Sequence, residues 1–98
     1  MTLIGPRGET DAVPTEFTWA AFPGATEYRV EIEDEDAFWP LVVKTVKTTG
    51  LTLTEKERAA ITRGRIHHWE VEARDARGGP IATGGARFRV RLPGENPS

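Results

Sequence analysis

The sequence predicts an all-β fold: a seven-stranded antiparallel sandwich with one short helical turn. Three observations predict it. Apolar and charged residues alternate with period two in four separate runs. Turn-forming proline and glycine residues separate those runs at short intervals. One segment breaks the alternation and carries helix-start chemistry instead.

The alternation is plain in each run. Phe17 and Trp19 alternate with Glu16, Thr18 and Ala20. Tyr28, Val30 and Ile32 alternate with Arg29, Glu31 and Glu33. His67, Trp69, Val71 and Ala73 alternate with His68, Glu70, Glu72 and Arg74. Phe88, Val90 and Leu92 alternate with Arg87, Arg89 and Arg91. Successive strand residues face opposite ways, so each run has one apolar and one charged face, as a half-buried strand requires. Further strands are expected at Leu3 to Arg7, Leu41 to Thr48 and Leu51 to Leu53. Phe22-Pro23-Gly24-Ala25 reads as a tight turn, and glycine-rich Asp75 to Gly85 as a flexible connection. Thr54 and Glu57 have capping-box spacing ahead of good helix formers, which predicts a helical turn that brings Ile61 to the core.

Composition narrows the function. The 98 residues fit one domain, with a core over about 3–92 and Pro93 to Ser98 as a linker or frayed tail. There is no cysteine, so disulfides, thiolate metal sites and a cysteine nucleophile are excluded. A net charge of -2 offers no basic footprint for nucleic acid. No apolar run approaches the ~20 residues of a membrane helix, so direct membrane insertion is not expected. Ser98 is the only serine, and no glycine-rich phosphate loop precedes a helix. The expectation is a non-enzyme without a cofactor or resident metal.

Phe17-Thr-Trp-Ala-Ala-Phe-Pro-Gly-Ala-Thr-Glu-Tyr28-Arg-Val-Glu-Ile32 resembles the second and third strands of bacterial fibronectin type III-like modules. Gly64-Arg-Ile-His-His-Trp-Glu-Val-Glu-Ala73 resembles their sixth strand. The resemblance implies a fibronectin type III/immunoglobulin-like sandwich, with the helical turn in the E–F connection. It also implies a protein-interaction or spacer module, extracytoplasmic, in an exported or membrane-anchored bacterial protein. The extracytoplasmic part of an anti-sigma-type regulator is one such setting. Where the family has a tyrosine that hydrogen-bonds the E–F backbone, this chain has His67.

Adjacent strand residues point apart, so His67 and His68 cannot share a metal ion; His67 is expected inside and His68 outside. Glu33-Asp34-Glu35-Asp36 reads first as a solvated loop and second as a weak cation site. Arg87, Arg89 and Arg91 are expected to form a cross-strand charge ladder with Glu70 and Glu72. Phe38-Trp39-Pro40 falls where the alternation is unclear. Either these rings cover an edge of the core, or at least one is exposed and anchors a partner. The candidate partner-binding residues are therefore Phe38, Trp39, Pro40 and Asp36. The expected partner is a protein or a neighbouring domain, with a glycan stacked on Trp39, or a cytoplasmic adaptor role, as the alternatives.

Overall fold

The computed structural model describes residues 1–95. Their alternating runs form eight strands and one helix: β1 (Leu3–Gly5), β2 (Gly8–Thr10), β3 (Glu16–Trp19), β4 (Glu27–Asp34), β5 (Val42–Val46), β6 (Gly50–Thr52), α1 (Glu55–Ala59), β7 (Ile66–Arg74) and β8 (Pro80–Val90). One sheet has the order β1-β3-β6 and the other β2-β8-β7-β4-β5.

The expected first strand, Leu3 to Arg7, is paired only over Leu3–Gly5, and the residues just beyond it form an eighth, unexpected strand in the other sheet. β1 pairs antiparallel with β3, whereas β2 runs parallel to β8. Pro6 lies at the break, where its lack of an N–H ends the ladder. The Trp69 indole N–H donates to the Pro6 carbonyl at 2.9 Å, which ties the crossover to the core.

Inward residues of the larger sheet stack in register: Tyr28 opposite Ala73, Val30 opposite Val71, Ile32 opposite Trp69, and Asp34 opposite His67. Phe17 of the facing sheet meets Trp69 edge-on at 5.0 Å between ring centroids and Phe88 at 5.6 Å. Trp19 meets Tyr28 at 5.5 Å. Trp19, Tyr28, Val30, Trp69, Val71 and Phe88 all lie in this one buried cluster, as the alternation predicts.

The helical turn also matches. The Glu57 N–H donates to Thr54 Oγ1 at 3.2 Å, and the Thr54 N–H donates to Glu57 Oε1 at 2.9 Å. Ile61 is buried behind it.

Three expectations need correction. β8 starts at Pro80, so Gly84 and Gly85 lie inside a strand and the loop is shorter than Asp75 to Gly85. A Cβ at Gly84 would stand 2.7 Å from Leu3 Cδ1, and one at Gly85 2.9 Å from His68 Nε2. These glycines admit close neighbours; they do not confer flexibility. Leu92 is exposed because β8 ends at Val90, and it leans on Gly64 instead of the core.

The arginine stripe is the third correction. Glu70 and Glu72 face Gly85 and Thr83 across the ladder. Arg87 pairs with Glu35, Arg89 with Glu9 and Glu95, and Arg91 with Glu9 and Asp11. The bidentate contact at 2.7 and 2.9 Å with Arg89 holds the Glu95 carboxyl down at a pKa of about 2. It also ties Glu95 back onto the domain, while residues 96–98 of the expected tail lie outside the described residues.

Candidate functional site

The candidate residues sit on the turn that joins β4 to β5. Its construction begins at Asp34, the last residue of the inward row of β4. There the alternation continues while the chemistry changes, and a carboxylate takes a core-facing position, 5% exposed. The acid run is therefore not simply a solvated loop. Glu33 and Asp34 belong to β4, and Asp34 points inward.

Burying a carboxylate demands partners. Arg65, just ahead of β7, brings its Nε to 2.9 Å from Asp34 Oδ2. Asp34 Oδ1 accepts the Asp36 N–H at 2.9 Å, and the Asp34 carbonyl accepts the Ala37 N–H at 3.0 Å. Glu35 donates its N–H to the Ile66 carbonyl at 3.1 Å, and Leu41 donates to the Ile32 carbonyl at 2.7 Å. Arg87 pairs with the Glu35 carboxylate at 2.8 Å. Both ends of the turn are thus pinned to the sheet.

At its apex the two rings face solvent. Phe38 is 93% exposed and Trp39 is 76% exposed. Their centroids are 6.5 Å apart with an interplanar angle of 63°, so each supports the other edge-on. Pro40 follows and restricts Trp39 to extended backbone. Of the two openings left by the sequence, exposure holds and cover of the core does not. Asp36 and Pro40 are exposed beside the rings, so all four candidate residues share one surface.

His67, beneath the turn, is fully buried and stacks on Phe88 at 5.2 Å. The Thr62 N–H points at its Nε2 at 3.4 Å, and its Nδ1 lies 3.0 Å from the Arg65 carbonyl. Nε2 therefore accepts, and Nδ1 carries the proton. The imidazole thus accepts from the E–F backbone at Thr62 and donates to the Arg65 carbonyl. Burial lowers its pKa, with the Arg65 carbonyl opposing. His68 lies on the opposite face of the same strand.

Arg65 is the residue that sequence reasoning missed. It adjoins Asp34 only through β4–β7 pairing, and no local spacing announces a contact across so many residues.

No family model matches the chain, and no curated protein matches it closely enough to count as a relative. Among solved structures, the fibronectin(III)-like modules of Clostridium thermocellum CbhA superpose with a TM-score of 0.55. The match covers 92% of this chain and 94% of that one, at 14% sequence identity. The fold is fibronectin type III-like. In fibronectin type III terms the candidate tip is the turn after the third strand. It lies at the end opposite the loop that joins β7 to β8, because Asp34 pairs with His67 while Glu27 pairs with Arg74.

Proposed function

We propose that this fibronectin type III-like domain is a non-catalytic interaction or spacer module of an exported or membrane-anchored bacterial protein. In this reading it docks a protein partner or neighbouring domain through Phe38 and Trp39. An anti-sigma-type regulator remains one setting in which such an extracytoplasmic module would serve. The observation that carries the reading is the pair of exposed rings on a turn pinned at both ends. Large exposed aromatics are energetically poor unless something covers them, and a fixed backbone spares a partner the cost of ordering it.

The rest of the chain supports a non-catalytic role. Among the described residues, the groups whose pKa values are displaced already serve structure. Glu57 is held low by Lys44 and its capping bonds, His67 is held low by burial, and Arg89, Arg91 and Glu95 are engaged in ion pairs. The resemblance to modules of larger bacterial proteins supports the setting.

Photo-crosslinking in cells tests the site, with the reactive residue placed at position 38 and, separately, at position 52 on the opposite sheet. Discrete products from position 38 alone are expected. Products from position 52 alone would overturn the reading. Exposure of Trp39 also suits a sugar platform, so a glycan array is the companion measurement. A glycan bound by the parent and lost in Trp39→Ala would replace the protein partner with a carbohydrate.

A further inference from the structure

We propose that the surface received by the Phe38–Trp39 tip is basic: an arginine- or lysine-bearing segment of a protein partner. Its cationic head lies against the rings and pairs with Asp36. The inference rests on the docking role above and adds the chemistry of the occupant.

The argument is one of charge left over. Four carboxylates approach this end: Glu33, Asp34, Glu35 and Asp36. Two guanidiniums, those of Arg65 and Arg87, reach them. Four minus two leaves a net charge of -2 at the tip. The neutralisation is also uneven. Asp34 and Glu35 hold their arginines at 2.9 and 2.8 Å, whereas Asp36 is 3.7 Å from Arg65, with its side chain 76% exposed. Among the described residues, Glu33 has no ion pair within 4.0 Å, and it stands outward on β4 opposite His68. Of the three acids that an arginine reaches, Asp36, beside the rings, is the one held at the longest distance.

Ring geometry points the same way. An aromatic face is the negative pole of the ring quadrupole and attracts a cation within ~6 Å of the centroid. An edge-to-face pair leaves faces open to solvent, and Asp36 adds a full charge next to them. Arginine suits the site best, because its planar guanidinium stacks on a ring while its N–H groups reach a carboxylate. The same acids disfavour a membrane occupant. Anionic lipid repels them, and burying them at the headgroups requires their desolvation.

Chemical-shift mapping of the whole chain tests this, following backbone amides and the Trp39 indole N–H. The probes are a capped Arg-Gly repeat peptide, its Ser-Gly and Glu-Gly counterparts, and phosphatidylcholine vesicles with and without phosphatidylserine. The Arg-Gly peptide is expected to shift the Trp39 indole and the Asp36 and Phe38 amides. Trp39→Ala should weaken it about tenfold, and Asp36→Asn about threefold with a shallower salt dependence. Equal shifts from the Ser-Gly peptide or the vesicles would overturn the cationic preference while leaving the docking site standing. Shifts of Trp39 on raising the protein's own concentration would assign the site to a second copy and overturn it too. A silent Trp39 with every probe also overturns it, and the docking reading falls as well only if position 38 yields no crosslinks.

Discussion

Two sets of aromatic side chains in this molecule meet opposite fates. Phe17, Trp19, Tyr28, Trp69 and Phe88 are each no more than 4% exposed, whereas Phe38 and Trp39 are 93% and 76% exposed. Residue type does not separate them. Position does: the first set occupies alternate sites on paired strands, where parity sends each ring inward. The second follows the point where that parity meets a carboxylate. Tyr28, Val30, Ile32 and Asp34 form one inward row, and at Asp34 the row turns polar against Arg65 and His67. The turn built on Asp34 then carries the chain outward, and the next two rings go with it. A core can thus end in a buried polar group that aims its neighbours at solvent.

The comparison breaks most readily at the core. Trp69→Ala removes a ring in contact with Phe17 and Trp19, and an indole bond to Pro6. The expected loss is about 3–5 kcal/mol, which is much of the stability of a domain this small. A denaturant midpoint equal to the parent's would mean that strand parity does not set the energetics. Next comes the boundary. Asp34→Ala takes away the Arg65 ion pair and the Asp36 N–H acceptor. It should cost about 2 kcal/mol, less than a fully buried pair because Arg65 is partly in water. It should also move the Phe38 and Trp39 amide resonances, which Trp69→Ala at low denaturant should not. Thr54→Ala, remote from both aromatic sets, should cost about 1 kcal/mol by stripping the helix cap. If it disturbs Trp39, the tip is not locally held.

The fold was largely legible because its main determinant is periodic and local. Alternation identifies the inward faces of β3, β4 and β7, and the capping box at Thr54 and Glu57 places α1. What escaped was non-local or chemically ambiguous. Glycine is read as flexible, yet Gly84 and Gly85 sit mid-strand because Leu3 and His68 crowd them. A run of acids is read as solvated, yet Asp34 is buried by an arginine that only β4–β7 pairing brings near. The partners of Arg89 and Arg91 come from β2, from Asp11 just after it and from the terminal turn, which no spacing predicts. At the site, Phe38, Trp39, Pro40 and Asp36 were legible as candidates because they interrupt the alternation. Their exposure was not, since a broken period fits a covering loop equally well.

The smallest effect is expected where the rings are most exposed. Phe38 and Trp39 lie 6.5 Å apart, edge to face, and neither belongs to the buried cluster or packs against it. Replacing both with serine, as Phe38→Ser with Trp39→Ser, removes apolar surface that the folded state leaves in water. Folding therefore loses almost no burial, and the backbone bonds that pin the turn involve Glu35, Asp36, Ala37 and Leu41. The unfolding free energy should stay within about 0.5 kcal/mol of the parent, as for ordinary surface changes. A buried aromatic pair of this size would lose several kcal/mol from the same change. Iodide quenching gives a second readout. Trp39 is the one exposed indole beside buried Trp19 and Trp69, so the quenchable fraction of the emission should vanish in the variant. A stability loss above about 1 kcal/mol would show that the rings brace the domain and would erase the distinction between the two aromatic sets.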